Sequence, residues 1–227
     1  MAMTYLQLAQ RLRQEVGAAG TGPSSVTSQT GELGRIVAWI ATADEDVARL
    51  HNEWKFMVGN FTLNTVANTQ SYAAADCVTP VTDLRDWKSE TFKMYLLATG
   101  VSDEARLTFM PYHDWYRIYN TGTQTAGRPV YFTIGNDMSI KLGPVPNGVY
   151  RVSGEYQKSA TTMTLDAHTP AYPSEYHLIA VYRAMMKYGR YTGATEVYQD
   201  GAAEYKRMLK EMERTQLPRF RLAEALA

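Results

Sequence analysis

The stretch Phe61-Thr62-Leu63-Asn64-Thr65-Val66 marks the point at which the sequence changes from a helical to an extended pattern. Apolar and polar residues alternate here approximately every second position, which is the period of a strand with one face in a core. Apolar residues recur at steps of three and four before this stretch, and that spacing returns after about residue 158. The sequence therefore predicts an α+β fold, with a β region between N-terminal and C-terminal helices.

Two helices are predicted before the β region. Thr4 and Gln7 have the spacing of a capping box at the start of the first helix, and Gly17 and Gly20 follow its end. Thr30 is the expected cap of the second helix. Its apolar stripe comprises Leu33, Ile36, Val37, Ile40, Val47, Leu50 and Trp54. We expect this helix to pack one face on a core and to present its charged face to solvent or a neighbouring subunit.

The β region is predicted to contain short strands separated by turn residues. The candidate strands are residues 61–66, 91–97, 106–110, 128–134, 138–142 and 149–157. Asn136-Asp137 is typical of a tight hairpin, and residues 112–119 are expected to form a short helix carrying Trp115. Sequential strands with short links favour an antiparallel domain, either a sandwich or a small barrel.

Two further helices are predicted near the C-terminus. Pro173 suits the first turn of one, and Gly193 separates it from another over about 194–215. Small residues would let these helices approach closely: Gly189, Gly193, Gly201, Ala202 and Ala203. The expected organisation is a helical bundle of residues 1–54 and 159–216, an inserted β domain of residues 55–158, and an extended tail of residues 217–227.

Composition limits the classes of partner. The chain has 23 Lys and Arg and 23 Asp and Glu, so it lacks the basic excess of a general nucleic-acid binder. The nearly apolar run at residues 36–43 is far shorter than the roughly 20 residues of a membrane span, so no membrane association is expected. Cys77 cannot form an intrachain disulfide, and we expect a small buried residue.

Motifs of catalysis are missing from the sequence. There is no phosphate-binding loop, dinucleotide fingerprint or nucleophile elbow, and the four histidines lack metal-ligand spacing. His113-Asp114 is the nearest approach to a catalytic pair, but adjacent side chains diverge on a helix or strand. Asp83, Asp86 and Glu90 are interpreted as solvated loop charges. We expect no catalytic, cofactor or metal site, and no enzyme.

Tyrosine is abundant, with 16 Tyr against 6 Phe, and tyrosine suits surfaces that meet water or a partner. Several of these residues fall in the β region: Tyr72, Tyr112, Tyr116, Tyr119, Tyr131, Tyr150 and Tyr156. Such a cluster can form a carbohydrate platform. An ordinary core or a subunit interface is the favoured interpretation.

The C-terminal segment carries the clearest local charge. Residues 205–222 contain six basic and two acidic residues, and Leu217, Phe220 and Leu222 are interspersed among them. This pattern is typical of a peptide that orders on the surface of a partner. A frayed terminus is the alternative.

Several segments, in this order, resemble head-to-tail adaptor (connector, or head-completion) proteins of tailed bacteriophages. The segments are residues 4–12, 20–23, 29–32, 35–39, 53–56, 127–129, 142–150 and 170–177. Examples are Glu53-Trp54-Lys55-Phe56 after the second helix and Pro170-Ala171-Tyr172-Pro173 before the C-terminal helices. The resemblance covers nearly the whole chain.

The resemblance implies a structural protein of the virion, assembled in the host cytoplasm. About twelve copies would form a ring beneath the portal protein, extend the channel for double-stranded DNA and offer a platform for tail or nozzle proteins. It also implies that the C-terminal extension docks on the portal, which assigns this role to Leu217, Pro218, Arg219, Phe220 and Arg221. The alternatives are a β-rich carbohydrate-binding or tail-associated hydrolase module, and a tail-completion protein.

Overall fold

The computed structural model describes residues 2–218, and within them the chain forms helices and two sheets in two compact units. The helical unit comprises the described residues up to Met57 and from Ala160 onward, and the β unit comprises residues 58–159. The predicted α+β class is confirmed. The helices are α1 (Tyr5–Glu15), α2 (Gly31–Arg49), α3 (Tyr112–Tyr119), α4 (Leu178–Thr192) and α5 (Thr195–Gln216). The strands are β1 (Val58–Asn64), β2 (Ser71–Tyr72), β3 (Leu84–Leu96), β4 (Ala105–Arg106), β5 (Thr108–Phe109), β6 (Tyr131–Ile134), β7 (Ile140–Gly143) and β8 (Tyr150–Lys158).

The two N-terminal helices begin in different ways. At α1 the predicted capping box is confirmed, because the Gln7 N–H donates to the Thr4 hydroxyl and the Thr4 N–H donates to the Gln7 side chain at 2.9 Å. At α2 the Thr30 side chain makes no capping hydrogen bond, although the helix does begin at the next residue. Residue type alone therefore predicted the position of the Thr30 cap correctly, but not whether its side chain makes a capping hydrogen bond.

The second helix is shorter than the apolar spacing predicted. It ends at Arg49, and Trp54 lies beyond it just after a turn, where its indole N–H donates to the Val47 carbonyl at 3.1 Å. Trp54 is fully buried in the same cluster as Val47 and Ile179. Trp54 therefore fits the apolar spacing of α2 because it packs in the same core as that helix. The prediction that Trp54 lies in the helix is wrong.

Helix α4 lies between α2 and α5 within the helical unit. Asp46 on α2 forms ion pairs with Arg183 at 3.3 Å and Lys187 at 3.1 Å on α4. On α5, Gly201 lies against Tyr182 and Met185. Helix α1 contributes Leu8 and Leu12 to the core formed with α2 and α4.

Glycine sets the close approach of α4 and α5. A Cβ atom on Gly201 would lie 2.8 Å from the Met185 Cβ, and one on Gly189 would lie 2.8 Å from the Tyr198 backbone nitrogen. Such distances are too short for a real side chain, so of the small residues predicted at this contact, Gly189 and Gly201 are required by it. Gly193 has open space around it, and Ala203 is exposed. Gly193 adopts a left-handed conformation between the two helices, which confirms the predicted break.

The β unit contains two four-stranded sheets that share one core. One has the order β1-β8-β3-β4 and the other β2-β7-β6-β5. The Phe92 ring on β3 stacks on the Phe132 ring on β6, with centroids 4.2 Å apart. The segment containing β4 and β5 pairs with β3 and then with β6, so it joins the sheets along one edge. The fold thus combines features of a sandwich and a small barrel.

One strand pair departs from the predicted antiparallel arrangement. Strands β5 and β6 are parallel, because the chain between them makes a long crossover through α3. The predicted bounds of α3 are confirmed. The predicted hairpin is also present between β6 and β7, but its loop is wider than two residues, since the Gly135 N–H donates to the Ser139 carbonyl at 2.8 Å.

The first and last strands of the β unit are neighbours. Strand β1 pairs with β8, and Val58 lies opposite Gln157. The chain therefore enters and leaves this unit at adjacent positions, as expected of a segment inserted into another domain.

Candidate functional site

The residues considered as catalytic candidates all have structural contacts or solvent exposure. His113 is exposed on α3, and Asp114 pairs with Arg117 at 3.8 Å. Asp83 accepts a hydrogen bond from the Tyr156 hydroxyl at 3.0 Å, and Glu90 is exposed. Among the described residues, no group of three or more His, Cys, Asp or Glu side chains is placed to hold a metal ion. No catalytic arrangement brings these groups together.

Cys77 is buried in the β-unit core, as predicted. Burial, with a smaller contribution from Asp76, raises the pKa of the Cys77 thiol to about 11. The side chain is therefore a thiol at neutral pH, which makes it a poor nucleophile. None of the helices in residues 2–218 has the length and apolar character needed to cross a bilayer.

Most tyrosines of the β region serve the fold. Tyr72, Tyr150 and Tyr156 are buried in the β-unit core. Around α3, a chain of ring contacts joins Tyr112, Trp115, Tyr119 and Tyr131. Tyr116 is the half-exposed member of α3. The tyrosine content is thus explained largely by packing.

The start of the predicted docking tail is attached to the helical unit. The Leu217 N–H donates to the Glu213 carbonyl at 3.1 Å, and its side chain packs on the core that contains Trp54 and Ile179. Pro218 is exposed. Arg219, Phe220 and Arg221 lie outside the described residues. The structure therefore places Leu217 as an anchor within its own chain.

The end of α5 is held by several polar contacts. The Lys55 ammonium donates to the Thr215 carbonyl at 3.0 Å, and the Tyr176 and Thr215 hydroxyls are 3.1 Å apart. His51 contacts Glu213 at 2.9 Å. The last turn of α5 is therefore fixed to the rest of the helical unit.

An aromatic surface on α2 and α4 was not identified from the sequence. We define the α2–α4 aromatic face as Arg35, Trp39, Tyr188 and Tyr191. The Trp39 ring lies 5.9 Å from the Tyr188 ring and 5.7 Å from the Tyr191 ring, and the Arg35 guanidinium carbon lies 4.3 Å from the Tyr191 centroid. Tyr191 is 56% exposed. Tryptophan, tyrosine and arginine are the residues that most often dominate protein interfaces. The available signal was that these aromatic residues lie outside the apolar stripes of their helices.

The buried carboxylate of Asp44 was also not predicted from the sequence. Asp44 on α2 is almost fully buried, and burial raises its pKa to about 6, while the nearby Tyr172 hydroxyl partly opposes that rise. Burial raises the pKa of Tyr172 well above its usual value, and the charge of Asp44 adds to this. Within the described residues, Asp44 Oδ1 has no hydrogen-bond partner. The signal was a charged residue one turn after Ile40 on the apolar stripe.

His177 joins the two ends of the chain within the helical unit. Its Nδ1 accepts a hydrogen bond from the Met3 N–H at 2.9 Å, and its Nε2 lies 3.2 Å from the Tyr172 carbonyl. Burial lowers the pKa of His177. A neutral imidazole can accept from Met3 and donate to Tyr172 at once, so the residue has a structural role.

The β unit carries a second exposed surface, which we define as the apolar row of Val66, Leu97, Val101 and Val149. The Leu97 N–H donates to the Val149 carbonyl at 3.0 Å, just beyond the pair Leu96 and Tyr150. The exposed fractions are 59% for Val66, 39% for Leu97, 72% for Val101 and 46% for Val149. Leu97 and Val149 are neighbours, and adjacent exposed aliphatic residues are a feature of contact surfaces.

Comparison with known proteins agrees with a structural interpretation. A family model described as SU10 adaptor protein matches residues 3–224. No curated protein matches the chain significantly. The matched range includes both units, the α2–α4 aromatic face and the apolar row. Since the match covers nearly the whole sequence, the chain belongs to the SU10 adaptor protein family, a family of structural rather than catalytic bacteriophage proteins.

Proposed function

We propose that this protein is a head-to-tail adaptor of a tailed bacteriophage. About twelve copies form a ring beneath the portal and provide the attachment platform for tail or nozzle proteins. The observation that carries the proposal is the family match over residues 3–224. The resemblance of ordered sequence segments in both units supports the same role.

A cyclic ring requires each copy to offer two different faces to its neighbours. The helical unit has exposed surfaces of two kinds, namely the α2–α4 aromatic face and the charged outer side of α5. The candidate catalytic side chains, by contrast, are exposed or hydrogen-bonded to neighbouring residues. These surfaces favour assembly over catalysis.

The charge balance suits a ring through which DNA passes. Lys and Arg equal Asp and Glu in number, so the formal net charge is zero with neutral histidines. A channel lined by a large basic excess would bind phosphates strongly and hold the DNA. In the proposed ring, double-stranded DNA moves through without sequence-specific binding.

The C-terminal tail is proposed to dock on the portal. Leu217 anchors the start of the tail in the helical unit, so the docking residues proper are Pro218, Arg219, Phe220 and Arg221. An apolar ring between basic residues provides an anchor and charge for a partner surface. In the β unit, the exposed apolar row is the proposed contact for the next tail component.

The test of the proposal is to mix the purified chain with the portal protein of the same phage and to image the product by negative-stain electron microscopy. We expect a ring of this chain on one end of the portal. Absence of a portal complex overturns the proposal. Binding to a tail protein but not to the portal favours a tail-completion protein, whereas glycan binding or hydrolysis favours the carbohydrate-related alternative.

Tail docking is tested separately by deleting residues 219–227. The truncated chain keeps Leu217, so we expect an unchanged thermal unfolding transition and weaker binding to the portal in a pull-down. Unchanged portal binding contradicts the docking role. Loss of the folded state would show that the tail is part of the core. Leu217→Ala is the matched variant, because it should lower stability through lost packing.

A further inference from the structure

We propose that neighbouring copies in the ring contact each other through two particular surfaces of the helical unit. One is the α2–α4 aromatic face. The other is the acidic first half of α5, defined here by Glu196, Gln199, Asp200 and Ala203, all exposed. This inference rests on the proposed ring and names which surfaces close it.

The two surfaces lie on opposite sides of α4. Lys187 and Tyr191 lie four residues apart on α4 and contact α2. Tyr182, Met185 and Gly189 contact α5. At about 100° per residue, these two sets of positions point in nearly opposite directions from the helix axis. A head-to-tail ring needs two complementary surfaces on opposite sides of each copy.

The two surfaces are also at the same level of the helical unit. Both α2 and α5 run antiparallel to α4, because Tyr191 near the end of α4 meets Arg35 near the start of α2, and Gly189 meets Tyr198 near the start of α5. Helices α2 and α5 therefore run in the same direction. Rotation of one copy about a ring axis brings the first half of its α2 against the first half of the next copy's α5.

The charges of the two surfaces are complementary. Arg35 is exposed, and its guanidinium donates to the Tyr191 hydroxyl but forms no ion pair with any described residue. Glu32 on the same side accepts a hydrogen bond from the Tyr188 hydroxyl at 3.4 Å. On α5, Glu196 and Asp200 are exposed, and neither forms an ion pair with any residue among those described. A carboxylate of the next copy that faces Arg35 would form an ion pair with it, and this pair would fix the register of the contact.

The composition of the aromatic face favours a protein surface as its occupant. Tyr191 and Trp39 present large rigid rings at a small cost in side-chain entropy, which makes them effective anchors. On α5, the exposed Gln199 and the small, exposed Ala203 leave room for such rings to pack against the helix. In a ring, the next copy supplies this surface at every position, so every copy makes the same contact.

Charge reversal tests the inference on the full chain. Arg35→Glu and Asp200→Arg each place like charges across the contact, so we expect each variant alone to lose ring formation on the portal at least about tenfold. The double variant, Arg35→Glu with Asp200→Arg, restores opposite charges and should assemble. An equal mixture of the two single variants should also assemble, because every contact in an alternating ring is then complementary.

Controls keep the result interpretable. Circular dichroism must show that each variant is folded, and Arg117→Glu, which makes the same charge change on exposed α3, should assemble like the wild type. Tyr191→Ala removes the exposed ring without reversing charge and should also weaken assembly.

The outcomes separate this inference from the proposed function. If the wild type forms rings and the single variants do so equally well, the assigned surfaces are wrong and the adaptor role stands. If single variants fail and neither the double variant nor the mixture recovers, α5 is not the partner of Arg35. If the wild type forms no ring, both proposals are overturned.

Discussion

The helical unit and the β unit are built from the chain in opposite ways. The helical unit combines the two ends of the sequence, as in the hydrogen bond from Met3 to His177 and the ion pair between Asp46 and Arg183. The β unit is one continuous segment whose first strand pairs with its last. The β unit can therefore be replaced by a short linker, whereas neither helical segment has a complete core alone.

The exposed surfaces differ as well. The α2–α4 aromatic face combines Arg35 with Trp39 and Tyr191, whereas the apolar row of the β unit is aliphatic and uncharged. Charged and aromatic groups give a contact its register, while an aliphatic surface is less selective. We therefore propose that the helical unit forms the ring and that the β unit contacts the tail partner.

The largest expected effect comes from separating the units. Residues 58–159 expressed alone should fold, because both sheets and their shared core lie within them. The full chain with this segment replaced by about six Gly and Ser residues should keep its helices, since the paired ends of β1 and β8 are only about 5 Å apart. Circular dichroism and thermal unfolding would show two cooperative units. Residues 1–57 alone, the matched fragment, should not fold.

Core truncations should act on one unit at a time. Phe92→Ala removes a ring that is buried and stacked on Phe132, and should lower the free energy of unfolding of the β unit by about 3–5 kcal/mol. Ile179→Ala should cost the helical unit about 2–5 kcal/mol. Tyr116→Ala, at a half-exposed position, is the control with little effect. Equal shifts of both units in calorimetry would show that the units are not independent.

Asp44→Asn should stabilise the helical unit in a pH-dependent way. Because burial raises the pKa of Asp44 to about 6 in the folded state, the folded chain holds its proton more tightly than the unfolded chain. Stability from this site is present below about pH 4 and is lost as the pH rises through 6, on the order of 3 kcal/mol in total. The variant should therefore gain more in melting temperature at pH 7.5 than at pH 4.5.

Asp46→Asn is the matched control for Asp44. Asp46 is half-exposed and pairs with Arg183 and Lys187, so its replacement should lower stability slightly at neutral pH. A melting temperature of Asp44→Asn that follows the wild type at every pH would contradict the account of the buried carboxylate.

The smallest expected effect distinguishes two helix starts of the same residue type. Thr4→Ala removes a capping box and should cost about 1 kcal/mol. Thr30→Ala removes a side chain that makes no capping bond, and should change stability far less. Chemical denaturation of the helical unit resolves the two. Equal costs would show that Thr30 caps α2 in solution.

The sequence predicted those parts of the fold that local chemistry determines. The capping box of Thr4, the bounds of α3 and the break at Gly193 depend on neighbours along the chain. Long-range packing determined the rest. Trp54 continued a helical spacing because it shares a core with Ile179, and β5 pairs in parallel with β6 because of the crossover through α3.

The sequence predicted the class of function, but it did not locate the surface residues that form the candidate site. Spacing and composition could exclude common catalytic motifs and mark the basic C-terminal segment. They could not bring Trp39 beside Tyr191, because these residues meet only when α2 packs on α4. Asp44 likewise interacts with Tyr172, which is distant along the chain.

We propose that the helical unit forms the ring and that the β unit makes the tail contact. The most direct measurement images the portal mixed with the chain whose residues 58–159 are replaced by the short linker. We predict that this folded helical chain still forms a ring on the portal. A chain that is folded by circular dichroism yet forms no ring, when the full-length protein does, would contradict the account.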